Sequence, residues 1–159
     1  DVEKTLASAC DSIRELLSDE LIISPIYESE PWGIAEQPSF LNQVVGIVPN
    51  ESPRKTLSTL LDIERIHGRI RGQKWGPRTL DLDILSWPDM TVESKELTLP
   101  HPRLAERGFV LAPWADLAPH LIPYGLSRTV KDMLGALDGS GWVRQCSSST
   151  PSSESPNLS

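Results

Sequence analysis

Apolar positions recur at steps of four, three and four along the start of the chain, at Leu6, Cys10, Ile13 and Leu17, with Leu16 alongside. The spacing predicts an amphipathic helix over 1–18, with Asp1 able to cap it and Glu3 near its positive end. The pattern then gives way to short runs rich in β-branched residues. Residues 20–27 (Glu-Leu-Ile-Ile-Ser-Pro-Ile-Tyr) predict a strand, and Pro25 inside it marks an edge or a bulge. Residues 28–39, with Pro31, Gly33 and Pro38, predict a long loop, and residues 40–48 a second strand.

Ser52-Pro53 reads as a cap followed by proline at the first helical position, so a helix runs from there to about Gly68. Leu57, Leu60 and Leu61 mark its buried face, and the next position on that stripe is Glu64, where an apolar residue is expected. Residues 72–77 predict a loop with glycine hinges, 79–86 a strand, and 97–103 a short strand running into a turn. Residues 104–117 and 129–137 predict helices, the first broken at Pro113. Helices and strands interleave, and the step from 27 to 40 suits antiparallel neighbours. The expected fold is therefore α+β, a sandwich with helices packed on a mainly antiparallel sheet. From about Ser140 the composition shifts, and 147–159 hold one apolar residue, Leu158, among serines and prolines. A domain over 1–138 and a disordered Ser/Pro-rich tail over 139–159 are expected.

The chain has 159 residues, 38% of them hydrophobic and 23% charged, which suits one soluble domain with a real core. The net charge of −7 argues against general binding to nucleic acid or an anionic membrane, because a broad negative field repels phosphate. A polyphosphate would need a local basic cluster. No apolar run approaches the ~20 residues of a membrane span, and Asp1-Val2-Glu3-Lys4 does not open a signal peptide. Cys10 and Cys146 form no disulfide framework, so a reducing cytoplasm is expected. His67, His101 and His120 have no cysteine partners at zinc spacing.

The densest chemical signal is Thr79-Leu80-Asp81-Leu82-Asp83-Ile84-Leu85. In a strand, alternation puts Leu80, Leu82 and Ile84 on one face and Asp81 and Asp83 on the other. Carboxylates roughly 7 Å apart along a strand can hold one or two hard cations, Mg²⁺ above all. Taken alone, Asp-x-Asp is also what a solvated outer face looks like. Arg65, Arg69, Arg71, Lys74 and Arg78, however, place five of the fifteen basic residues just ahead of it. Guanidinium groups grip phosphate oxygens bidentately, and phosphoryl-type transfer rests on positioning and charge stabilisation. A third cluster, Pro100-His101-Pro102-Arg103 with Arg107-Gly108-Phe109, adds a histidine held in a turn and two arginines. Neither a Gly-x-x-x-x-Gly-Lys-Ser/Thr loop nor Gly-x-Gly-x-x-Gly occurs.

The run Lys74-Trp75-Gly76-Pro77-Arg78-Thr79-Leu80-Asp81-Leu82-Asp83-Ile84-Leu85 resembles the signature of the 6-hydroxymethyl-7,8-dihydropterin pyrophosphokinases. The likeness extends to residues 24–33 (Ser-Pro-Ile-Tyr-Glu-Ser-Glu-Pro-Trp-Gly) and to Gln37 through Asn42. It continues over Ile63-Glu64 with Gly68 through Arg71, and over Leu99 through Arg103 with Arg107 through Leu111. It covers about 1–138. The resemblance implies a ferredoxin-like α+β fold, ATP as cosubstrate and two Mg²⁺ ions on Asp81 and Asp83. It implies Arg69 and Arg78 on the transferred diphosphate, and Arg71, Lys74 and Trp75 on a lid over ATP. Glu64 would face the nucleotide site, His101 and Arg107 would contact phosphates, and Ile84 the adenine. Phe40 and Phe109 would sandwich the pterin ring, with Asn42 reading its amide-like edge and Ser29, Glu30 and Trp32 in the loop beside it. From spacing alone, Phe40 and Phe109 read as core residues. The β-attack on ATP that releases AMP is likewise implied by the family and not by any spacing.

The family opens with a strand ending in Gly-Ser-Asn, whereas this chain starts where the first helix begins. A longer parent chain is expected, trimmed of that strand or fused to or associated with another folate-pathway enzyme. The lid is one residue shorter between Arg71 and Trp75 than in some members. Two rival readings remain open on the residues. One is a nucleotidyltransferase or sugar transferase using the same Asp-x-Asp, and the other is a non-catalytic pterin- or nucleotide-binding relative.

Overall fold

The computed structural model describes residues 2–29, 40–68, 80–137 and 143–146. Helix α1 runs over Val2–Leu16 and buries Ala9, Cys10 and Ile13, with Leu17 just past its end; Leu16 points away and is 50% exposed. Helix α2, Pro53–Ile66, starts as its sequence dictates. The Ser52 hydroxyl accepts the Lys55 amide at 3.1 Å, and Pro53 fills a position where no amide bond is needed. Gly68, at φ 88°, follows the helix in the left-handed region that ends helices. The buried face of α2 is Thr56, Leu60, Ile63 and Glu64, with Leu57 and Leu61 half-buried at its flanks. The two helices join in a first core of Ala9, Ile13, Leu17, Leu60, Ile63 and Leu80. Leu21, Ile47, Leu82 and Ile84 pack against that core.

Each of the two strands expected over 20–27 and 40–48 is interrupted. Strand β1 (Leu21–Ile23) pairs antiparallel with β4 (Val45–Ile47), and β2 (Tyr27–Ser29) with β3 (Phe40–Asn42). Between the pairs Ile23↔Val45 and Tyr27↔Asn42 lie residues 24–26 on one side and only 43–44 on the other. Pro25 thus sits in a bulge, one of the two placements its ring permits. Ser29, expected at the start of a loop, belongs to β2.

A strand that the composition did not predict, β7 (Val143–Gln145), lies on the other edge of β2, giving the order β3–β2–β7. It falls inside the stretch expected to be a disordered tail from 139. Its alternation is too short to register in sequence, and pairing with β2 is what orders it. Residues 147–159 lie outside the described residues. A further hairpin pairs β5 (Val92–Glu93) with β6 (Thr98–Leu99).

The helix expected over 104–117 is two elements. A 3₁₀ turn, Leu104–Glu106, is followed by Arg107 in extended backbone and then by α3, Gly108–Leu117. Pro113 does not break α3: the helix carries through it. Leu111, Pro113 and Trp114 are all buried there, and that packing overrides the local cost of the missing amide. Helix α4, Val130–Gly135, is capped by the Thr129 hydroxyl on the Asp132 amide at 3.0 Å. Val44, Leu104, Leu111, Trp114, Val130 and Met133 form the second core. The architecture is α+β with antiparallel pairing, as expected.

The strand expected over 79–86 forms no ladder among the described residues, although its burial alternates as a strand's would. Its backbone groups are satisfied differently. The Leu82 amide donates to the Glu64 carboxylate at 2.7 Å, and the Leu85 carbonyl accepts from the His101 amide at 2.8 Å.

Candidate active site

Leu80 is buried, Leu82 and Ile84 are half-buried against the first core, and Asp81 and Asp83 between them are exposed. The alternation read from the sequence therefore aims both carboxylates at solvent. Glu64, the polar residue on an apolar stripe, is only 4% exposed and binds the amide between the two aspartates. It ties α2 to the acidic segment and fixes where that segment runs. Among the described residues no three His, Cys, Asp or Glu side chains gather to enclose a metal. Two exposed carboxylates, all oxygen and without a closed cage, fit a hard ion that also takes water and phosphate oxygens as ligands.

His101 follows directly on this segment through its bond to Leu85. Its Nδ1 accepts the Arg103 amide at 3.3 Å, so a neutral imidazole carries its proton on Nε2. Burial pushes its pKa below the usual value; Asp83 pulls it back up, while Arg107 and Arg103 push it down. Asp83, Arg107 and Arg103 are thus close enough to His101 for their charges to bear on it. The Arg107 guanidinium lies over the Phe109 ring, 5.4 Å from its centroid, and its buried Nε has no hydrogen-bond partner among the described residues. A buried cationic donor of this kind suits an anionic acceptor. Asp83, His101, Arg107 and Phe109 thus form one chain of neighbours from the acidic pair to the start of α3.

Beyond Phe109 lies the β3–β2–β7 sheet. Residues directly opposite in an antiparallel pair share a face, so Tyr27, Ser29, Phe40, Asn42, Val143 and Gln145 lie on one side. Glu28, Leu41 and Arg144 lie on the other, where Arg144 and Glu28 pair at 2.7 Å. Helix α3 packs on the first side: the Tyr27 hydroxyl donates to Asp116, and a Cβ on Gly108 would stand 3.3 Å from Val143. Burial raises the Tyr27 hydroxyl to about 12, helped by its hydrogen bond to Asp116 and by the charge there. Ser29 is buried and accepts from Asn42 Nδ2 at 2.9 Å, while Phe40 is 43% exposed and Phe109 half-buried. Two aromatic rings, an amide and a hydroxyl are carried by β2, β3 and the first turn of α3, elements that pack on one another.

The structure puts His101 within reach of the Asp83 and Arg107 charges, lays Arg107 over Phe109, and groups Ser29, Phe40 and Asn42 on one sheet face. Ile84 packs against the first core. Glu30, Trp32, Arg69, Arg71, Lys74, Trp75 and Arg78 lie outside the described residues. Sequence reasoning did not single out Tyr27, Asp116 or Ser24. Their partners lie far along the chain, and the signals were the proline after Ser24 and the place of Ser24 and Tyr27 in the run 24–33.

The model of the 7,8-dihydro-6-hydroxymethylpterin-pyrophosphokinase family matches residues 1–119. A Pseudomonas aeruginosa protein named 2-amino-4-hydroxy-6-hydroxymethyldihydropteridine pyrophosphokinase is 41% identical over 141 residues, 87% of this chain and 86% of the relative. A Mycobacterium bovis protein of the same name is 41% identical over 140 residues, 80% of this chain and 74% of the relative. A Bacillus subtilis protein of that name is 45% identical over 95 residues, 60% of this chain and 57% of its own length.

Proposed function

This chain belongs to the 7,8-dihydro-6-hydroxymethylpterin-pyrophosphokinase family, and from that premise we propose that it transfers pyrophosphate from ATP to 6-hydroxymethyl-7,8-dihydropterin in folate biosynthesis, releasing AMP. The observation that carries the reading is the chain Asp83–His101–Arg107–Phe109, which joins a pair of carboxylates to an aromatic wall. One end suits a polyphosphate and the other a flat heterocycle. A transfer between two such substrates requires both at one edge.

Asp81 and Asp83 would hold Mg²⁺, two ions in this reading, which supplies charge neutralisation to the phosphates when bound. Arg107 and the His101 Nε2–H would donate to non-bridging oxygens. Arg69 and Arg78 are assigned to the transferred diphosphate, and Glu64, Arg71, Lys74, Trp75 and Ile84 to the nucleotide side. Phe40 and Phe109 take the ring between them, and Asn42, with Ser29 behind it, reads its edge. Glu30 and Trp32 complete the ring's surroundings. Glu64 acts at one remove as well, by holding the Leu82 amide and with it the direction of both carboxylates. A reducing cytoplasm is the setting that two free thiols fit. Among the described residues no helix is long and apolar enough to cross a membrane.

The test is AMP release from ATP and Mg²⁺, with and without 6-hydroxymethyl-7,8-dihydropterin. Pterin-dependent AMP is the expected result. Pterin binding without AMP would leave a binding protein and remove the catalytic reading. Nucleotide turnover that ignores the pterin would turn the acidic pair over to another transferase.

A further inference from the structure

We propose that Ser24 is a positioning residue for the substrate ring, its hydroxyl holding the bulge that decides which side chains of the return strand line the aromatic slot. The inference rests on the slot assignment above.

The register carries it. In β1–β4 the chain pairs Leu21 with Ile47 and Ile23 with Val45. Continued in that phase, the ladder would set Tyr27 against Leu41 and Phe40 against Glu28. A slip of one residue turns every side chain to the other face. Phe40 and Asn42 would then leave the side covered by α3 and join the side where Arg144 and Glu28 pair. The observed register is shifted by the one extra residue among 24–26, and this puts Asn42 opposite Tyr27 and Phe40 opposite Ser29.

Ser24 is built into that shift. It is 3% exposed. Its amide donates to the Val44 carbonyl at 2.9 Å, and its hydroxyl accepts from the Val44 amide at 2.9 Å while donating to the Pro25 carbonyl at 2.8 Å. Both backbone groups of Val44 are therefore met by one serine, its hydroxyl standing where an unbulged ladder would offer a carbonyl. Pro25 has no amide, so the extra residue leaves no donor stranded. Gln43 braces the arrangement, its Nε2 donating to the Ser24 carbonyl at 2.8 Å, and Cys10 of α1 lies 3.8 Å from its Oε1. Val44 itself is buried in the second core, so the bulge is fixed from both sides of the sheet.

Steady-state constants of Ser24→Ala and Ser24→Thr against the wild-type chain test the inference. Ser24→Ala leaves the Val44 amide without its acceptor and should raise KM for the pterin about tenfold while KM for ATP stays within about twofold. Ser24→Thr keeps the hydroxyl and should restore the pterin constant. If both KM values are unchanged, or rise together, Ser24 supports the fold at large and the inference is overturned. Should Ser24→Ala not fold, Gln43→Ala carries the same comparison, with an expected rise of about threefold confined to the pterin. Equal effects on both substrates there would overturn it too. A wild-type chain that binds no pterin would overturn the slot assignment and the inference with it. Equal pterin binding by wild type and Ser24→Ala would overturn the inference alone.

Discussion

The acidic segment and the proposed aromatic slot are built on opposite principles. Asp81 and Asp83 stand on a segment with no ladder among the described residues, held by one buried carboxylate and one backbone bond to His101. Their side chains are exposed, and the apolar residues between them do the packing. In the slot, position is inseparable from structure: Phe40, Asn42 and Ser29 face α3 only because a bulge sets the register of β2 and β3. The first region can lose its chemistry and keep its fold. In the second, the contacts that place the side chains also pair the strands.

Substitutions can break that contrast. Asp83→Ala should lower kcat about 10³-fold, as expected when charge stabilisation of a transferred group is removed, with melting temperature and circular dichroism unchanged. A clear drop in stability would show that the acidic edge is structural after all. Glu64→Ala tests the acidic segment from its buried support. It strands the Leu82 amide and should cost about 1–3 kcal/mol in denaturant unfolding, and should raise the Mg²⁺ concentration needed for activity. Phe109→Ala removes one ring and the partner of Arg107, and should raise KM for the pterin about tenfold with little change in KM for ATP.

Tyr27 gives a finer measure of the slot. Its hydroxyl is raised from the ordinary value near 10 to about 12, so the folded protein holds that proton more tightly than the unfolded chain does. The Tyr27–Asp116 contribution is complete below pH 10 and is lost as pH rises through about 12. The stability gap between wild type and Tyr27→Phe should therefore close across that interval, and a constant gap would remove the linkage. Arg144→Ala should do least, under about 1 kcal/mol, because the Glu28–Arg144 pair lies on the face away from α3 with Arg144 largely exposed.

Much was legible in the chain itself. Helix α1 announced itself through its period and α2 through period and cap, and the ends of α2 agree with Ser52, Pro53 and Gly68. The alternation Leu80-Asp81-Leu82-Asp83-Ile84 gave the inside and outside of the acidic segment correctly. Burial depends on side-chain hydrophobicity and local period, and both are written in order along the sequence. The strand expected there pairs in no ladder among the described residues, because a period of two describes an extended chain and does not supply a neighbour. β7 was missed for the complementary reason: three residues carry no readable period, yet β2 offers them an edge. Pro113 misled because local propensity says nothing of the core that packs around it.

The candidate site divides in the same way. Residue types and order determined the family, the carboxylate pair and the clustering of arginines near it. Only the tertiary structure decided that Glu64 spends a carboxylate on the Leu82 amide and that Tyr27 reaches Asp116. It also decided, through Ser24 and Val44, which face Phe40 and Asn42 present. The physical reason is distance along the chain. Period, caps and charge clusters act within a few residues, whereas a register or a hydrogen bond between positions 18 to 89 apart exists only once packing has brought them together.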